Sequence, residues 1–290
     1  MFRQKTGSVV CASCGSLVGV NDDKCYTCGR RNPGLWGFGP VLRRFGNDLG
    51  FINLILYGCI AIYFLSLIVT MLLGGNVLGG GLLSMLGPSG EATYLLGSSG
   101  AVPVFLYGRW WTVLSAGWLH GGALHILFNM MWVRDLGPVV GDFYGAARMV
   151  IIYTVACITG FLLSSFVGAY FPFIPFLGGS HFSVGASAPL FGLLGALVHY
   201  GRRGGSRLVG STALNYAISA GVFGLIMPGI DNTAHLGGFI GGYLASMWLD
   251  PLKPERMDHF VIAALCLLAT ALAVIASVVT TLLRVLAQNA

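Results

Sequence analysis

Three short stretches of the chain carry residues able to do nucleophilic chemistry. In GASAPLFG, Gly185 and Ala186 permit a tight entry and set Ser187 at or near the start of a helix. There, free backbone N–H groups and the positive end of the helix dipole favour developing negative charge. In DNTAHLGGFIGGYLA, His235 is followed by Gly238 and Gly242, a spacing that lets one helix approach another closely. In WLHGGALHILFNMMW, His125 and Asn129 stand four residues apart and therefore on one helix face. Together they offer a nucleophile, a general base and oxyanion donors, the parts that acyl transfer needs. Plainer roles exist for each: a serine caps helices, and His and Asn bridge helices in membranes. Asp231, one turn before His235, is either an orienting carboxylate or a cap, and His120 suits packing as well as function.

A fourth constellation is chemically different. The segment CASCGSLVGVNDDKCYTCGR holds Cys11, Cys14, Cys25 and Cys28 as two CxxC pairs, each trailed by a glycine, Gly15 or Gly29. Four thiolates so spaced suit tetrahedral zinc, and a segment with so little core of its own needs the metal to fold. A closed four-cysteine site has no open position, which makes this metal structural rather than catalytic. Two disulfides fit poorly with a cytoplasmic segment. The remaining Cys59, Cys157 and Cys266 sit singly in apolar runs and read as small hydrophobes.

The elements that must position these residues lie in a membrane. Hydrophobic residues make up 56% of the chain and charged ones 9%, with a mean hydropathy of +0.80, far from a soluble domain. The net charge of +6 comes from basic residues scattered in short loops, with no stripe that would suit nucleic acid. Apolar segments at 51–73, 112–133, 148–170, 185–200, 207–228, 234–249 and 260–283 predict seven spans. With the amino terminus inside, every Lys and Arg except Arg109 and Arg284 falls on the inner side, Arg43 and Arg44 among them, as the positive-inside rule requires. The orientation leaves 74–111 as a long outer Gly-rich loop with Trp110 and Trp111 as interfacial anchors. It also brings His125, Asn129, Ser187 and His235 to one depth near the outer ends of the second, fourth and sixth spans. Polar groups there are costly and face a wet cavity. The predicted organisation is a cytoplasmic module at 1–30, a juxtamembrane linker at 31–50 carrying Trp36 and Phe38, a six-span core at 51–250, and a loop with a seventh helix at 251–290.

HILFN at 125–129, GASA at 185–188 and AHLGGFIGG at 234–242, in that order, resemble the rhomboid intramembrane serine proteases over about residues 50–250. The cysteine module is similar to a short zinc ribbon. The resemblance implies an all-α polytopic membrane fold, a rhomboid-like six-helix core plus a seventh transmembrane helix. It places the catalytic dyad on Ser187 and His235 and the oxyanion site on His125, Asn129 and the Ser187 N–H. Two departures accompany it: Ala188 stands where the family's GxSG motif ends in glycine, and Trp111 is followed by Thr112 rather than arginine, with Arg109 upstream. The implied substrates are transmembrane proteins cut near the outer face of a bacterial inner membrane. A cytoplasmic partner for the ribbon is a further expectation. The seventh span, read as lacking polar residues, is expected to be scaffold. An inactive relative that only binds membrane clients is the alternative reading. A transporter would show repeated broken helices, and the sequence shows no such repeat.

Overall fold

The computed structural model describes residues 3–11, 14–42, 48, 50–78, 85–253 and 255–288, though not the side chains of 41–42 and 284–288. Arg43, Arg44 and the Arg284 side chain lie outside the described residues.

The chain opens on an antiparallel hairpin, β1 (Ser8–Val10) with β2 (Leu17–Gly19), in the register Ser8 to Gly19 and Val10 to Leu17. Val9 and Val18 are paired across it and turn inward onto Val20, Cys11 and Cys25. Each CxxC pair closes the same turn: the Gly15 N–H donates to the Cys11 carbonyl (3.1 Å) and the Gly29 N–H to that of Cys25 (2.9 Å). Both glycines adopt positive φ, which a side chain would resist. Residues 32–38, placed in the linker by sequence, fold back onto this module. The Asn32 N–H reaches the Asp23 carbonyl, the Gln4 N–H reaches that of Gly37, and Leu35 is buried. Trp36 and Phe38 remain exposed.

After α1 (Gly39–Leu42) come α2 (Phe51–Leu72), α3 (Gly90–Leu96), α4 (Thr112–Ser115), α5 (Ala123–Tyr144), α6 (Ala146–Tyr170), α7 (Ser187–Arg203), α8 (Arg207–Ile226), α9 (Asn232–Trp248) and α10 (Met257–Gln288). The protein is an all-α polytopic membrane protein. α2, α6, α8 and residues 257–283 of α10 are long and apolar enough to cross a bilayer. Phe64, Leu72, Leu208, Ile226 and Leu282 stand exposed on the flanking helices α2, α8 and α10, where lipid covers apolar surface. α5, α7 and α9 do not meet the criterion, α7 and α9 because each has only 17 residues. These three carry the candidate site.

Two expectations are corrected. The second span is not a helix over 112–133: α4 and a tight turn at Ala116–Trp118 end in extended backbone at Leu119, and the helix restarts at Ala123 and continues to Tyr144. Gly121 and Gly122 permit the break, and Arg134, Asp135 and Asp142 lie in the C-terminal half of the helix. Nor is α10 free of polar contacts: Ser277 and Thr281 are buried and hydrogen-bonded to Trp111 and Leu95 of the loop between α2 and α5. That loop is itself ordered around α3 and a turn at Val102–Leu106.

α7 packs on α9, α6 and α5, and α7 and α9 approach closely where a glycine of one meets the backbone of the other. A Cβ at Gly238 would stand 2.1 Å from the Ala188 carbonyl oxygen, and one at Gly242 would stand 2.1 Å from that of Gly192. Gly195 meets the Phe239 carbonyl in the same way. The small-residue spacing therefore acts as expected, bringing two backbones to a distance that side chains forbid.

At the start of α10, Arg30 of the cysteine module is buried with its guanidinium 4.6 Å from the centre of the Phe260 ring and an N–H on the Met257 sulfur at 3.7 Å. Burial lowers its pKa, while Glu255, Cys11 and Cys28 act in the opposite sense. The Glu255 carboxylate accepts the Arg148 backbone N–H at 3.0 Å, and Arg148 donates to the Lys253 carbonyl at 2.9 Å. Burial raises the Glu255 pKa, and the Arg148 N–H and the charges of Arg148 and Arg30 offset part of that. The module is thus seated on the α9–α10 connection.

Candidate active site

Ser187 is the first residue of α7. Gly185, at φ +136°, turns the chain into the helix, and Ala186 is the N-cap. No side chain caps this end, so the first-turn N–H groups, that of Ser187 included, have no intrahelical acceptor. Ser187 Oγ instead lies 2.8 Å from Nε2 of His235, 48 residues later, on the first turn of α9. Both residues are of intermediate exposure.

Stacking on Phe191, one turn along α7 from Ser187, fixes the plane of the imidazole: the ring centres are 4.2 Å apart and the planes 12° apart. No carboxylate takes that part. His235 Nδ1 is buried without a hydrogen-bond partner among the described residues. Asp231, the open alternative, is the cap: its Oδ1 accepts the Ala234 N–H at 2.9 Å, and its Oδ2 accepts the hydroxyls of Ser183 (2.6 Å) and Ser164 (2.5 Å). It fastens α9 to α6 and to the segment that leads into Ser187.

His125, near the start of α5, faces the same place. The Gly121 N–H donates to its Nδ1 at 3.2 Å, so the neutral ring carries its proton on Nε2. That nitrogen lies 2.7 Å from where a Cβ on Gly185 would be, and Ser187 Oγ lies 3.5 Å from the same point. The absent side chain leaves a space flanked by both. Asn129, one turn on, is buried and donates its amide to the His125 carbonyl at 3.0 Å. Among the described residues no hydrogen bond joins it to Ser187 or His235. His120 is fully buried with its ring edge-on to His125, the centres 5.1 Å apart.

Ala188 points away from this space into a cluster with Val104, Val113, Ala116, Cys157, Phe161 and Ala234. Its methyl lies where Gly160 of α6 makes room; a Cβ at 160 would stand 2.9 Å from it. The departure from a second glycine is thus absorbed by a third helix. Sequence reasoning missed Phe191, whose signal was only its position one turn after the serine.

The cysteine sulfurs form the other site. All four lie within 4.8 Å of one another, with Cys11 to Cys28 at 3.8 Å and Cys14 to Cys25 at 3.7 Å. Disulfide sulfurs would stand at about 2 Å. Four thiolates about 2.3 Å from a central tetrahedral ion would stand about 3.8 Å apart, so the cluster fits a metal ion.

A rhomboid domain model matches residues 107–252. The chain is 34% identical over 167 residues to Rhomboid protease GluP of Bacillus subtilis (strain 168), covering 57% of this chain and 31% of that protein. It is 34% identical over 168 residues to RHOMBOID-like protein 4 of Arabidopsis thaliana (55% and 39%) and 31% identical over 173 residues to RHOMBOID-like protein 7 of the same plant (57% and 51%). The chain therefore spans about a third to a half of the length of these relatives. The matched region contains α5, α6, α7, α8 and α9, with every residue that lines the Ser187–His235 contact, and on it the chain belongs to the rhomboid family.

Proposed function

We propose that this chain is an intramembrane serine endopeptidase that cuts transmembrane proteins near the outer membrane face. The observation that carries the reading is the 2.8 Å contact between Ser187 Oγ and His235 Nε2. With the His235 proton on Nδ1, Nε2 accepts the serine hydroxyl, the arrangement a general base needs. Ser187 Oγ attacks the scissile carbonyl carbon while its proton passes to Nε2. The oxyanion that forms is met by the Ser187 N–H and by His125 Nε2–H across the space beside Gly185, with Asn129 holding the His125 turn. The imidazolium then gives its proton to the leaving amine, leaving an acyl-enzyme. Water, deprotonated by the same nitrogen, releases the acid and restores the serine. An intact helix hides its carbonyls, so a substrate unwinds locally to be cut, and helix-breaking residues near its outer end favour it.

In this reading the amino terminus is cytoplasmic, in a bacterial inner membrane, and the four-cysteine module holds one structural zinc. Arg30 occupies one face of that module against the chain's own Met257 and Phe260, which supports a role within the molecule rather than toward a separate partner.

The test is cleavage of a transmembrane reporter by purified protein in lipid, with Ser187→Ala and His235→Ala alongside. The reading requires both variants to lose cleavage while keeping wild-type folding. Failure of the wild type to cleave any reporter and to react with a fluorophosphonate at Ser187 would instead favour the client-binding alternative.

A further inference from the structure

We propose that Ser277 on α10 is a positioning residue for the turn that presents Ser187; its effect on turnover rests on the protease reading above. Ser277 is fully buried, and three groups converge on it. Trp111 Nε1–H donates to its hydroxyl at 3.1 Å, Ser115 Oγ lies 3.3 Å from that hydroxyl, and the buried Arg109 guanidinium donates to its carbonyl at 2.9 Å. Arg109 also donates to the Tyr94 carbonyl at 2.9 Å and lies over the Tyr94 ring at 4.4 Å. Ser115 donates to the Gly97 carbonyl at 2.8 Å. A Cβ on Gly97 would stand 2.4 Å from Ser115 Oγ and 2.5 Å from Ser277 Oγ, so three segments meet at one point.

Both outer segments that Ser277 touches go on to hold the approach to Ser187. One residue after Ser115, the Ala116 carbonyl accepts the Gly185 N–H at 2.9 Å. Two residues after Gly97, Ser99 exchanges backbone hydrogen bonds with Ser183, at 3.0 Å and 2.7 Å. The segment 183–185 is thus held from two sides, and the two sides are joined at Ser115, whose hydroxyl lies against that of Ser277, itself fixed on the Ala273 carbonyl at 2.9 Å. Buried polar groups that have lost a partner shift to find another. At this junction the backbone that would shift leads directly into the nucleophile.

The experiment compares wild type, Ser277→Ala, Trp111→Phe and the double variant, with active sites counted by fluorophosphonate labelling. Turnover per labelled site is expected to fall about fivefold in Ser277→Ala, the ratio equivalent to one net hydrogen bond, with KM unchanged. Trp111→Phe is expected to add little in the double variant, because the two share one bond. Hydrogen–deuterium exchange over residues 183–188 is expected to quicken in Ser277→Ala, a readout that needs no catalysis. Unchanged turnover per labelled site, with only the labelled fraction or thermal midpoint reduced, would make Ser277 scaffold and overturn the proposal. So would unchanged exchange over 183–188. A wild type that neither cleaves nor labels refutes the protease reading, and the exchange result still decides whether α10 holds this turn.

Discussion

The glycine seam between α7 and α9 makes Gly238→Ala the most informative single substitution. The added methyl would sit 2.1 Å from the Ala188 carbonyl oxygen, and ordinary contact begins at 3.4 Å, so the helices must part by 1.3 Å there. Ala188 follows the candidate nucleophile and Gly238 lies one turn from His235, so the separation falls on the dyad. Opened by the same amount, the 2.8 Å bond would lengthen to about 4.1 Å, beyond hydrogen-bond reach. A misplacement of this size is expected to lower turnover per active site about 100-fold. Overpacking costs about 1–3 kcal/mol, partly offset by the roughly 1 kcal/mol that alanine gains over glycine within a helix. Gly242→Ala is the matched control, because its methyl meets the Gly192 carbonyl oxygen at the same 2.1 Å but two turns beyond His235. It is expected to lose similar stability and less than about tenfold in turnover, since the reacting atoms move less. The assay is reporter cleavage in lipid, normalised to fluorophosphonate-labelled sites, beside thermal unfolding. Wild-type turnover per site in Gly238→Ala would refute the argument that this seam sets the dyad distance, as would equal catalytic losses in both variants.

Ala188→Gly removes a buried methyl on the far side of the helix from the site and is expected to cost about 1–2 kcal/mol of stability with turnover within about twofold of wild type. A tenfold gain in turnover would show that the methyl intrudes on the reacting space. Glu255→Ala leaves the buried Arg30 and Arg148 without their shared carboxylate and is expected to cost about 3 kcal/mol; a thermal midpoint equal to wild type would count against that cluster. Metal analysis of the purified protein is expected to find one zinc per chain, falling sharply in Cys25→Ser. Limited proteolysis of that variant should cut within residues 3–38 while Ser187 still labels; full zinc retention would contradict the four-sulfur site.

The separate pieces of the site were legible because chemistry and helix packing both constrained their sequences. A serine at a helix start, histidines on helix faces and small residues at a fixed spacing each imply a geometry, and Gly238 and Gly242 meet the fourth span as that spacing implies. The second span was misplaced because hydropathy reads 112–133 as one apolar run, whereas the break at Leu119–Gly122 is a backbone event at Gly121 and Gly122 that interrupts that run with a single polar residue, His120. The polarity of α10 was overlooked for a related reason. Ser277 and Thr281 are two of a few small hydroxyls in an apolar helix, and their partners, Arg109, Trp111 and the Leu95 carbonyl, lie more than 160 residues earlier. The same distance hid the role of Arg109, which composition counts as a loop charge and the fold buries. Arg30 was likewise read as a loop charge, though it reaches Met257 across 227 residues of chain.

The order in which the helices are made has a consequence for biosynthesis. Ser187 emerges from the ribosome 48 residues before His235, and α9 is too short and glycine-rich to be held in lipid by its own apolar surface. In the folded protein it is packed against α6 and α7, which precede it in the chain. Before α9 is made the nascent chain carries Ser187 without His235, which under the protease reading proposed above leaves the serine without its base. A chain ending before Asn232 should therefore insert its long helices and leave Ser187 unreactive toward a fluorophosphonate, while extension through α9 should switch that reactivity on.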